Sequence, residues 1–97
     1  MKFEWDIEKD LINKRKHGIS FEQASYVFAD PFALSEFDLS HSEDEDRWIL
    51  LGRSLNQALL VVVHKYINDA NIEIVRIISA RKATNNEQKT YNERYPI

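Results

Sequence analysis

ALLVVVHKYINDANIEIVRIISARKATNNEQKTY, residues 58–91, reads as a strand hairpin that turns directly into a helix. Ala58 to Tyr66 and Ile72 to Ala80 are rich in β-branched residues, and Asn68-Asp69-Ala70-Asn71 between them supplies turn chemistry. Thr84-Asn85-Asn86-Glu87 then has the form of a capping box, with Thr84 as N-cap and Glu87 at N3. It predicts a helix running towards Tyr95 and ended by Pro96. The junction is cationic. Arg76 lies inside the strand, where a charge is costly unless it meets water, a carboxylate or an anionic ligand, and Arg81 and Lys82 stand at its end. The junction therefore reads as an anion site.

Outward from this hairpin, Arg47 to Gly52 is a further strand, joined to Ala58 through Ser54-Leu55-Asn56-Gln57. Successive hairpins imply an antiparallel sheet rather than a doubly wound one. Phe32 to Phe37 reads as a short edge strand and Asp38 to Asp46 as a polar loop. At the other end, Lys2 to Trp5 is extended and Asp6 is placed to cap a helix over Ile7 to His17. Gly18 closes that helix at C′, with Lys14, Arg15, Lys16 and His17 in the last turn, where positive charge suits the dipole. Ser20 and Gln23 form another capping box, and Phe21, Ala24, Val27 and Phe28 share one face of the helix that follows, until Asp30-Pro31 ends it. The expected fold is α+β in one domain, 1–97: two N-terminal helices, an antiparallel sheet of three or four strands and a C-terminal helix.

With 43% hydrophobic and 30% charged residues the chain lies in the ordinary globular range, which argues against disorder. The absence of cysteine excludes disulfides, thiolate catalysis and cysteine metal sites, and suits a reducing, cytoplasmic setting. No export signal or membrane span is expected, since the longest apolar run is Ala58 to Val63. A net charge of -3 argues against a protein that coats nucleic acid, yet the charges are divided. Acids gather in Glu36 to Asp46 and bases in KRKH at 14–17 and around Arg76, Arg81 and Lys82, so a local basic cleft is compatible with the total.

Strict alternation would put Ile72, Ile74, Arg76, Ile78 and Ala80 on one side of their strand and Glu73, Val75, Ile77, Ser79 and Arg81 on the other. Arg76 is then either a mouth residue contacting phosphate or the partner of a carboxylate such as Glu45 or Glu87. His64 closes an apolar run as a rim residue or as a neutral-pH proton carrier. His17 shares the basic helix terminus, where capping and packing also explain it. His41 lies among acids in the polar loop, but the histidine spacing matches neither HExxH nor a compact structural-zinc pattern, so no metal is expected. Trp5 and Trp48 are core anchors or stacking platforms, and Tyr91, one turn after Glu87, positions a phosphate or caps the core.

FEWD at 3–6, KHGISFEQA at 16–24, VFADP at 27–31, His41, Glu45 and Arg47 in their spacing, LGRS at 51–54, LVVVH at 60–64 and RIISARKAT at 76–84 jointly resemble the BrnT family of ribonuclease toxins. The resemblance spans nearly the whole chain and continues to Glu87 and Tyr91; it departs at Lys65 and Tyr66, where family members often carry threonine after the strand histidine. It implies a RelE-like fold, a metal-independent endoribonuclease without cofactor that inhibits translation, and a BrnA-like antitoxin partner through which alone operator DNA is contacted. On that basis His64 is expected to transfer a proton, with Glu87 as alternative or orienting base. Arg76 and Arg81 would stabilise phosphoryl charge, Tyr91 would position the scissile group, and Lys82 or Arg53, with Lys16 and His17, would hold the RNA. The rival reading is a non-catalytic protein-interaction module whose arginines form structural ion pairs.

Overall fold

The computed structural model describes residues 1–43 and 45–94. Asp44 of the acidic run, and the expected helix end at Tyr95 and Pro96, lie outside the described residues. Among the described residues five strands, β1 (Lys2–Glu4), β2 (Leu34–Phe37), β3 (Trp48–Arg53), β4 (Leu59–Asp69) and β5 (Ile72–Lys82), form one sheet in the order β1-β5-β4-β3-β2. The α-helices are α1 (Ile7–His17), α2 (Phe21–Ser25) and α3 (Asn85–Glu93). The α+β class and the helix order are as expected, but the sheet is mixed and larger. β1 pairs parallel with β5, Lys2 to Ile74 through Glu4 to Arg76, whereas the other pairings are antiparallel. Three residues are too few for alternation to declare a strand, so this pairing is invisible locally.

The β4–β5 hairpin is longer and tighter than its sequence suggests. Its turn is Ala70-Asn71, both left-handed (φ 49° and 69°), the backbone that matches the twist of a two-residue hairpin. The ladder carries a bulge: Val63 pairs Ser79 but His64 pairs Ile77, leaving Ile78 as the extra residue. Directly paired residues share a face, so Arg81 opposite Val61 and Arg76 opposite Lys65 lie on the same side of the sheet. Alternation alone had put them on opposite sides; the bulge reverses the phase between them.

Each face has its own apolar cluster. On one, Ile19, Phe21, Ala24 and Val27 bury against Leu50, Leu60, Val62, Val75, Ile77 and Ala80; on the other, Leu51, Leu59, Val61 and Ala83 enclose Tyr91 of α3. The turn Tyr26–Ala29 approaches β3 so closely that a Cβ on Gly52 would stand 2.8 Å from Val27 Cγ1 and 2.9 Å from Ala33 Cβ. Among the described residues, no helix is long and apolar enough to cross a membrane.

Helix α1 is fixed by its ends and by polar side chains, Asn13 foremost and Asp10, which accepts from the Phe21 amide at 2.8 Å. Asp6 accepts from the Lys9 amide, and Gly18 (φ 71°) donates to the Lys14 carbonyl. Past the end of β1, Asn13 occupies the edge of β5: its Nδ2 donates to the carbonyls of Ala80 (2.8 Å) and Ile19 (2.9 Å), and its Oδ1 accepts from the Ala80 amide (3.2 Å). This lashes the C-terminal half of α1 beside Arg81.

Candidate active site

Arg81 leaves the end of β5 just before the first turn of α3, and Glu87 reaches back from that turn. Nη1 donates to Oε1 at 2.7 Å and Nη2 to Oε2 at 3.0 Å, a bidentate pair. Oε1 also accepts from the Thr84 amide at 2.8 Å, and Thr84 Oγ1 accepts from the Glu87 amide, so one carboxylate caps the helix and aims the guanidinium. The Arg81 hydrogen bonds, acting against burial, hold the Glu87 carboxyl at about 2, and the same bonds raise Arg81. A carboxylate this weakly basic is a poor proton acceptor, and its two oxygens hold the guanidinium in place.

A cleft of ≈ 430 Å³ opens in front of the pair, lined also by Ser79, His17, Asp38, His41 and Arg47. His17 comes from the last turn of α1, held by Asn13 and Gly18. His41 comes from the turn Leu39–His41, its Nδ1 3.1 and 3.2 Å from the two oxygens of buried Asp38. Ser42 Oγ braces that turn, donating to the Asp38 carbonyl at 2.5 Å and accepting from the Arg47 amide at 3.0 Å. Arg47 Nε donates to Glu45 at 3.3 Å, and Lys65 Nζ meets the same carboxylate at 2.6 Å. The Lys65 hydrogen bond in particular lowers the Glu45 pKa.

The structure brings together only part of the expected set. Arg81, Glu87 and His17 converge; His64, Arg76 and Tyr91 stand elsewhere. His64 is fully buried on the opposite face of the sheet, its Nδ1 3.2 Å from the Val62 carbonyl and its ring 4.7 Å from that of Phe28, and burial pushes its pKa down. Arg76 pairs with Glu4 at 3.3 Å, not with Glu45 or Glu87, because the parallel β1–β5 register puts Glu4 beside it. Glu45 belongs to Arg47 and Lys65, and Glu87 to Arg81.

Tyr91 lines a separate cavity of ≈ 910 Å³ and donates its hydroxyl to Asp30 Oδ2 at 2.7 Å, with the Arg53 guanidinium 5.2 Å from its ring centroid. Burial would raise the Asp30 pKa, but the Arg53 amide, the Tyr91 hydroxyl and the Phe32 amide together lower it. Lys82 and Arg53 share a smaller depression of ≈ 370 Å³, and Lys16 is exposed in the last turn of α1.

Sequence reasoning passed over Asn13, Asp38 and His41 as site residues. Asn13 carried a faint signal, a poor helix former in the middle of a helix. His41 was visible but set aside with the metal reading, and Asp38 was hidden by the acids around it, which read as a solvated loop. Among the described residues no group of three or more histidines and carboxylates is placed to hold a metal ion.

The crystal structure of the Brucella abortus ribonuclease toxin BrnT matches with a TM-score of 0.62 at 22% identity, covering 87% of this chain and 97% of that one. At that identity the likeness speaks for the fold. No curated protein sequence matches. The profile of the BrnT ribonuclease toxin of type II toxin–antitoxin systems matches residues 5–87, from Trp5 before α1 to the Glu87 that holds Arg81. A match over so much of the sequence establishes that this chain belongs to the BrnT family of ribonuclease toxins of type II toxin–antitoxin systems.

Proposed function

We propose that this ribonuclease cuts RNA internally and without a metal ion, in the cleft in front of Arg81. The RNA 2′-hydroxyl attacks the adjacent phosphorus and the 5′-oxygen leaves, giving a 2′,3′-cyclic phosphate and a 5′-hydroxyl. The observation that carries this reading is the bidentate Arg81–Glu87 pair at the cleft, a guanidinium held rigid by a carboxylate that is itself tied to a helix cap. A preorganised cation of this kind stabilises charge as it develops on the phosphoryl oxygens. Arg47 adds a second guanidinium to the same space, and Lys82 and Arg53, which share a separate depression, would hold flanking phosphates.

On this reading His64 and Tyr91 act through packing and through Asp30, and Arg76 through Glu4. Residues 1–97 act as one toxin domain that lowers translation when free. A BrnA-like antitoxin neutralises it and supplies the contact with operator DNA. The second reading, an interaction module without catalysis, is favoured by Ile7, Leu11 and Ile12, which α1 leaves exposed.

The test is incubation of purified, antitoxin-free protein with defined RNA in excess EDTA, with the product ends identified. Cyclic-phosphate and 5′-hydroxyl ends support the reading. Intact RNA alongside folded protein, or 3′-hydroxyl ends, overturns it.

A further inference from the structure

The cleft contains two histidines that arrive from distant parts of the chain. His17 ends α1 and His41 ends a turn beyond β2, yet both line the space that holds Arg81 and Arg47. His41 is half of a carboxylate–imidazole dyad: the Asp38 oxygens lie 3.1 and 3.2 Å from Nδ1, and the carboxylate is buried. Such a partner fixes the tautomer, keeping the proton on Nδ1 and the lone pair on Nε2, which is the form a base needs. The neighbouring charges are Asp38 and Arg47 on the loop side, Glu36 on β2, and Arg81 and Glu87 across the cleft. Glu87 is committed to Arg81, and imidazole is the side chain that most often serves as general acid or base.

We propose that His41 and His17 are the acid–base pair of the cleavage reaction, with Asp38 as the residue that positions His41. This rests on the nuclease reading above. His41 Nε2 removes the proton of the 2′-hydroxyl as the 2′-oxygen bonds to phosphorus. The P–O5′ bond breaks, and the His17 imidazolium gives its proton to the leaving 5′-oxygen. One proton is gained by His41 and one lost by His17, so proton exchange with water restores both.

The experiment compares wild type, His17→Ala, His41→Ala and Asp38→Asn, each checked for folding by circular dichroism, on two RNA oligonucleotides in EDTA. One is unmodified; the other carries sulfur in place of the 5′-bridging oxygen at the cleaved linkage, so that its leaving group departs without a proton. Both histidine variants should lose ~10²-fold or more on unmodified RNA. On the sulfur substrate His17→Ala should recover to within about tenfold of wild type while His41→Ala stays slow. The wild-type pH–rate profile should be bell-shaped and each histidine variant should lack one limb. Asp38→Asn should lower kcat while leaving KM nearly unchanged. Wild-type cleavage with undiminished rates and an intact bell in either histidine variant overturns the inference and leaves the nuclease reading standing. Absence of cleavage by folded wild type overturns both.

Discussion

Arg81 and Glu87 meet through two parallel hydrogen bonds, 2.7 and 3.0 Å long, across the junction where β5 gives way to α3. The pair does two jobs with one carboxylate. It completes the capping box of α3 through the Thr84 amide, and it holds a guanidinium at the cleft that His17, His41 and Arg47 also line. Helix stability and the aim of the Arg81 guanidinium are thereby coupled at one residue.

That coupling has a pH signature. The Glu87 carboxyl is held at about 2 in the folded protein against an ordinary 4.5, so the unfolded chain binds the proton more readily. Its contribution is present above 4.5 and disappears as the pH falls from 4.5 towards 2. Because the side chains are partly exposed, the contribution is about 1 kcal/mol after screening. Urea titrations of wild type and Glu87→Gln across that range should converge at the acid end and separate above it.

His64 should behave as a neutral core residue. Burial pushes its pKa below the ordinary 6.5, so the unfolded state again takes the proton first and stability declines as the pH drops below 6.5. His64→Gln should remove that part of the stability profile. Its cleavage rate at pH 7.5, measured on protein confirmed to be folded, should stay within about fivefold of wild type, in contrast with a group that transfers a proton.

Asn13→Ala should be more damaging than its place on a surface helix suggests. The substitution leaves the amide and carbonyl of Ala80 and the carbonyl of Ile19 without the side chain that satisfies them. An unmet buried polar group costs about 1–3 kcal/mol, to be read from the urea midpoint. Cleavage should fall further than stability does, since α1 then loses its anchor beside Arg81.

Gly52→Ala tests the close approach of the Tyr26–Ala29 turn to β3. The added methyl would meet Val27 Cγ1 at 2.8 Å and Ala33 Cβ at 2.9 Å, with Asp30 Oδ2 at 3.1 Å. Overpacking of this kind costs about 1–3 kcal/mol, measurable as a lowered thermal midpoint.

Much of the fold was written in local chemistry. Ser20 with Gln23, Thr84 with Glu87, and Gly18 after a basic turn each fixed a helix end, and the apolar runs on either side of Asn68 to Asn71 fixed the long hairpin. What was not legible depends on contacts between remote segments. Lys2–Glu4 becomes a strand only because β5 is there to pair with it. The adjacent Ile77 and Ile78 give no sign that the ladder shifts at that point, yet this shift decides which side Arg76 occupies. His64 looked like a proton carrier because nothing in LLVVVH shows that Phe28 will cover it. His17 and His41 were each visible, but their convergence depends on Asn13 at one end and Asp38 at the other.

The most direct measurement is single-turnover cleavage of defined RNA in excess EDTA by Arg81→Ala beside wild type, with thermal midpoints recorded on the same preparations. Breaking a half-exposed ion pair should cost only about 1 kcal/mol of stability. Removing a preorganised cation from the developing phosphoryl charge should slow cleavage ~10²-fold or more. A folded Arg81→Ala protein that cuts RNA as fast as wild type would contradict the assignment of the cleft.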